Sequence, residues 1–206
     1  MGESVPSHPR EVGVTLNRTT ETPRERLLTT ATTLLDREGI QSVGINRLIA
    51  EAGVALMTLY RQFGDKDTLV AASLEHWSTD WLQWLTEQLD RRGDDPRARF
   101  NGLFDALGDW FTSEDFHGSF IASAATELRG ELDHPAHRVI EGHRLAMRQL
   151  LEDLAKAAGA DDPSALATQL QVLIDGAIAM ASFDRSRTPA EGARTLALAA
   201  LDASSS

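Results

Sequence analysis

With 206 residues, 42% of them hydrophobic and 25% charged, the chain has the make-up of an ordinary globular protein of one or two domains. It has no cysteine, which excludes disulfides and thiolate metal centres, and no uninterrupted apolar run near the roughly 18 residues of a membrane span. The formal net charge of −11 is unevenly spread: residues 18–66 carry seven basic and six acidic side chains, whereas residues 76–206 carry twelve and twenty-one.

The first twenty residues hold Arg10 and Arg18 among prolines and polar side chains and lack the apolar core of a secretory signal. A flexible tail over residues 1–21 of a cytoplasmic protein is the expectation. The first helix opens at Thr22-Pro23-Arg24-Glu25, where threonine caps, proline fits the first turn, and glutamate three residues on completes a capping box. Leu27, Leu28, Ala31, Leu34 and Leu35 then recur at helical steps, and Gly39 ends the helix as a left-handed cap. A short helix follows over 45–52, with Leu48, Ile49 and Ala52 inward, then the Gly53-Val54 turn and a third short helix through Leu59, Tyr60 and Phe63. Two short helices about a glycine turn form the helix-turn-helix pattern, whose second helix enters the major groove of DNA.

Gly64-Asp65 stops the third helix and caps a long one over 66–89, which carries Leu69, Leu74, Trp77, Trp81, Trp84 and Leu85. After the Arg91–Pro96 break, helices are predicted over 97–112, 118–130, 135–158, 163–183 and 189–203, separated by Pro135, Gly159–Pro163 and Thr188-Pro189. No strand alternation or internal repeat stands out. The predicted fold is all-α: a three-helix helix-turn-helix domain over 22–66, then a helical domain over 67–206. An acidic rear would repel DNA and leave the nearly neutral front as the contacting surface.

Ala52-Gly53-Val54, Thr58-Leu59-Tyr60-Arg61-Gln62-Phe63, Asp65-Lys66 and Leu69 resemble the A-G-V-x-x-x-T-L-Y-x-x-F-x-x-K-x-x-L pattern of the tetracycline-repressor-like (TetR/AcrR) regulators, over about residues 22–70. The resemblance implies a ligand-released repressor that binds a palindromic double-stranded DNA operator as a homodimer. Expected DNA contacts are Thr58 at the recognition-helix start, Tyr60, Arg61 and Gln62 along it, and Lys66, which matches the family's phosphate-binding lysine. Asn46 and Arg47 on the preceding helix would hold the backbone. This chain departs from the pattern where Ala55 replaces the usual hydroxyl cap and Leu56 and Met57 replace polar or small residues; these two can instead touch thymine methyls. Gly44 and Ile49 are further departures.

For the rear domain the resemblance implies dimerisation through the last two long helices, and the apolar stripe Leu166, Leu170, Leu173, Ile174, Ala177, Ile178 and Ala181, with Leu198 after it, is the expected interface. A pocket for a small-molecule effector of unknown identity is expected among Trp81, Leu85, Phe104, Leu107, Trp110, Phe120, His143 and Met147, although the same side chains suit a plain packed core. An effector bound there would shift the long helix that starts after Asp65 and change the spacing of the two recognition helices. His134 and His137 raise the possibility of a metal, but no cysteine or carboxylate cluster completes a site, so neither metal nor cofactor is expected. No phosphate loop, G-x-S-x-G or H-E-x-x-H points to an enzyme. The competing reading is a helical protein-interaction module whose DNA binding has degenerated.

Overall fold

The computed structural model of the chain describes residues 21–204; of the tail expected over 1–21, all but Glu21 lies outside the described residues. Nine helices run through them and no strand does: α1 Pro23–Glu38, α2 Ile45–Ala52, α3 Leu56–Phe63, α4 Lys66–Asp90, α5 Pro96–Phe111, α6 Phe120–Glu127, α7 Ala136–Ala157, α8 Pro163–Asp184 and α9 Thr188–Ala203. The fold is all-α, a helix-turn-helix at the front followed by a helical C-terminal domain.

Local chemistry sets the helix starts. The Glu25 N–H donates to Thr22 Oγ1 at 3.2 Å, while the Thr22 N–H and hydroxyl donate to the Glu25 carboxylate at 2.8 and 3.0 Å and hold that carboxyl below its ordinary pKa. Asp95 and Asp162 cap α5 and α8 by accepting from the Arg97 and Ala165 N–H groups, each just before a helix that opens on proline. The expected left-handed cap at Gly39 differs in detail. Its φ of 88° is positive, but its ψ of 154° is extended, a combination open essentially to glycine alone. Helix α6 is shorter than the 118–130 expected, because Ser119 caps it by accepting from the Ala122 N–H and the chain turns away after Leu128.

Two compact units divide the chain. The first comprises the described residues up to Asp80 together with Ser119–His143; the second comprises Trp81–Gly118 and the residues from Arg144 on. In the first, α1 packs on α2 and α3, and Leu27, Ala31, Leu35, Leu48, Leu59, Leu69 and Leu74 are fully buried. In the second, α9 packs on α8 and α5, and the centre is rich in aromatic rings.

Candidate nucleic-acid interface

Gly53 gives the α2–α3 turn its left-handed residue, with φ 62° and ψ 41°, and its N–H donates back into the end of α2. The Val54 N–H donates to the Ile49 carbonyl at 3.0 Å. Ala55 begins α3 with no side-chain cap. Leu48, Ala52, Leu59 and Phe63 turn inward, which directs the remaining face of α3 to solvent. Leu56, Met57 and Tyr60 are 41%, 74% and 45% exposed, and Arg61 is exposed beside them. Thr58 and Gln62 are half-buried.

The other expected contacts lie on the same unit but are not all alike. Asn46 is exposed. Arg47 is exposed too, but its guanidinium is held in two bonds by Glu38, which also accepts from Arg37; these bonds raise the Arg47 pKa and lower that of Glu38. The Lys66 ammonium donates to the Ile40 carbonyl at 2.9 Å and so fastens the α1–α2 turn to the start of α4. Two arginines that sequence reasoning passed over brace the head. Arg24 lies 4.9 Å over the Phe63 ring, and Arg26 donates to the carbonyls of Glu21, at 2.9 Å, and Ala52, at 3.4 Å.

Behind this head, the segment after α6 grips the α1–α2 turn. The Gln41 N–H donates to Glu127 at 2.8 Å and its side-chain amide to Glu131 at 3.1 Å; a Cβ on Gly39 would lie 3.1 Å from Glu127 Oε1. His134 is buried. Its Nδ1 accepts from the Ala136 N–H at 3.1 Å, which caps α7, and its Nε2 faces Asp67 on α4 at 3.6 Å. The His137 Nε2 donates to the Glu131 carbonyl at 3.0 Å, so both histidines use ring nitrogens on their own backbone. Among the described residues no three His, Cys, Asp or Glu side chains gather as a metal site would require.

The same unit contains a second polar cluster. Asp36 on α1 accepts from the Trp77 indole on α4. Burial nonetheless pushes its carboxyl from 3.8 up to about 7, since Oδ1 is sealed from solvent with no hydrogen-bond partner even though the residue as a whole is only half-buried. Trp77 lies 5.9 Å from the His143 ring and edge-on to Phe120 at 6.2 Å. His143 shares a 2.8 Å hydrogen bond with the Ser78 hydroxyl, and burial lowers its pKa to about 4, so it is neutral at physiological pH.

The eight residues expected to line an effector pocket are divided between the units. Phe120 and His143 belong to the first; Trp81, Leu85, Phe104, Leu107, Trp110 and Met147 belong to the second, where all six are buried. Trp81 and Trp110 meet edge to face at 5.7 Å, and Trp110 meets Phe116 likewise at 4.9 Å, so these rings form a packed core.

The residues of the expected dimer stripe differ in exposure. Leu166, Leu170, Ile174, Ala177, Ile178 and Ala181 are buried within the chain itself, and Leu173 and Leu198 are half-buried. The exposed apolar side chains of these helices lie elsewhere: Val172, Met180 and Phe183 on α8, the last 92% exposed, and Leu196 on α9. Helix α8 is apolar on both sides, and it is the one described helix whose length and composition would suffice for a membrane span, with a mean hydropathy of 1.3.

Helix α3 held outward by a buried α1–α2 support, in a chain that continues into further helices, defines a helix-turn-helix regulator. Residues 27–73 match the profile of bacterial regulatory proteins of the TetR family. The fold superposes on SCO4454, a TetR-family transcriptional regulator from Streptomyces coelicolor, with a TM-score of 0.78 and 30% identity over 89% of this chain and 96% of that one. The reduced form of Escherichia coli NemR has the same fold, with a TM-score of 0.74 at 23% identity over 84% and 95% of the two chains. In sequence the chain is 21% identical to the HTH-type transcriptional regulator YjdC of Escherichia coli over 84% of its own length and 91% of that protein. The chain belongs to the TetR family of transcriptional regulators.

Proposed function

We propose that this regulator is a repressor that binds a palindromic DNA operator as a homodimer and is released by a small-molecule effector. The observation that carries the DNA reading is the outward face of α3, where Leu56, Met57, Tyr60 and Arg61 project from a helix held by buried Leu59 and Phe63. Thr58 and Gln62 flank that face, and Asn46 stands on the helix before it. Arg47 and Lys66 serve the backbone through whatever donor capacity their internal bonds leave; an ammonium has three protons and Lys66 spends one on Ile40.

Pairing of two copies is assigned to the exposed stripe of α8 and α9, with Val172, Met180, Phe183 and Leu196 as its apolar members. A large exposed aromatic beside small residues such as Gly176 and Ala179 suits close helix packing across a two-fold axis. The effector is assigned to the helical domain, where it would have to part the packed rings around Trp81 and Trp110. Release requires tighter effector binding to the DNA-incompetent state, and the grip of Glu127 and Glu131 on the α1–α2 turn is the contact such a change would act through. A cytoplasmic location goes with this role, and no enzymatic activity is proposed.

The test is titration of the full chain against the duplex upstream of its own gene, at low salt and then at physiological salt, with Tyr60→Ala in parallel. Tight binding that Tyr60→Ala weakens without loss of helical content supports the reading. The competing protein-interaction module is motivated by the apolar Leu56 and Met57 and the engaged Arg47, and absence of duplex binding even at low salt would favour it.

A further inference from the structure

We infer that α3 reads thymine: Leu56 and Met57 sit against the C5-methyl groups of thymines in the major groove of each operator half-site. The inference rests on the DNA-binding reading above and states what that head recognises.

Leu59 and Phe63 are buried, so at 100° per residue Met57 and Arg61 form the crown of α3, with Leu56 and Tyr60 on one flank and the half-buried Thr58 and Gln62 on the other. In a helix-turn-helix the N-terminal residues of the second helix meet the base edges. Here residues 55–57 are alanine, leucine and methionine, with no side-chain donor or acceptor among them and no side-chain cap. Met57, 74% exposed, is the most prominent side chain of that first turn. Of the groups that base pairs present in the major groove, only the thymine methyl is apolar; the rest are donors and acceptors that would lose water to a methionine and gain no bond. Thymine is therefore the base this tip is built to favour. A protein partner fits less well. Leu56, Met57 and Tyr60 are the only large apolar side chains that α3 exposes, with Arg61, Thr58 and Gln62 beside them, whereas a stable protein interface takes roughly 800 Å² from each partner.

Burying one methyl corresponds to roughly fourfold in affinity, and one methyl in each of two half-sites to roughly fifteenfold. The experiment selects duplexes bound by the full chain from a random library, then replaces each half-site thymine by deoxyuridine, which removes the methyl alone. Binding is measured by fluorescence anisotropy for the wild-type chain, Leu56→Ala and Met57→Ala, all with exposed sites that leave the fold intact by circular dichroism. The expected result is a loss of about fourfold per methyl in the wild-type chain that shrinks below twofold in the variant whose side chain faced that methyl, a coupling that bending or stacking changes in the DNA would not give. Selected half-sites without thymine on either strand would overturn the inference and leave DNA binding standing. So would deoxyuridine effects that are absent or equal in all three proteins. A selection that enriches no duplex would defeat the DNA-binding reading itself, and this inference with it.

Discussion

Asp36 carries the sharpest energetic consequence of the fold. Its carboxyl is raised from 3.8 to about 7 by burial between α1 and α4, despite the hydrogen bond from Trp77. The folded chain therefore holds this proton more tightly than the unfolded chain does. Its stabilising contribution is complete below about pH 4 and drains away as pH rises towards 7. Between about pH 5.5 and about pH 7.5 the shift amounts to about 2 kcal/mol of lost stability, at about 1.4 kcal/mol per pKa unit. Asp36→Asn keeps an acceptor for Trp77 and cannot ionise, so it should remove this slope. His143 acts in the opposite sense: lowered to about 4, it disfavours the folded state as pH falls through the window from 6.5 down to about 4. The wild-type curve alone would mix the two, and the difference between wild type and Asp36→Asn isolates Asp36. The assay is thermal unfolding at fixed protein concentration across that range. The variant should gain about 4–8 °C on the wild type from the acid to the neutral end, at roughly 2–4 °C per kcal/mol for a chain of this size. Melting curves that stay parallel would refute the buried-carboxyl reasoning.

Three further outcomes follow from named contacts. Phe183→Glu should dissociate the proposed dimer: burying one phenylalanine contributes about 2 kcal/mol, the two-fold axis doubles it, and the dimer Kd should rise about a thousandfold in sedimentation equilibrium. An unchanged dimer would clear this face of the role. Glu127→Ala removes the acceptor of the Gln41 N–H at a cost of about 1 kcal/mol, so the Gln41 amide should exchange its hydrogen several times faster while amides within α3 keep their protection. Equal protection at Gln41 in both proteins would show that the contact does not secure the turn. By NMR the His143 ring should remain neutral through pH 6 and titrate near 4; a midpoint at the ordinary 6.5 would mean that the ring is more hydrated than its packing implies.

Much of the fold was legible in the sequence because short-range chemistry decides it. The Thr22–Glu25 box, the prolines opening α5, α8 and α9, and the glycines at 39, 53 and 64 each act within one turn of chain. The outward face of α3 was legible for the same reason, as inward Leu59 and Phe63 determine which neighbours face out. What periodicity cannot tell is which of two apolar faces a chain keeps for itself. The strongest stripe on α8, through Leu170, Ile174 and Ala181, is buried within the chain, and the surface left for a partner lies around Val172, Met180 and Phe183. Partners remote in sequence were also out of reach. Gln41 meets Glu127 across 86 positions, and Lys66 bonds a backbone carbonyl, which leaves no mark in the side-chain pattern. Glu38 could have been found: an acidic residue ending α1 nine positions before Arg47 is a natural competitor for that guanidinium.

In the proposed complex two copies of α3, held at a fixed distance by pairing of the two chains, enter successive major-groove faces of one duplex. Lengthening the gap between the two half-sites of a selected operator, by half a helical turn and then by a whole turn, probes that fixed distance. A rigid pair should lose at least about a hundredfold in affinity at the half turn, as one head swings to the wrong side, with two chains bound per intact operator. Equal affinity for every spacing, or one chain bound as tightly to a single half-site, would show that the two helices do not act as a rigid pair.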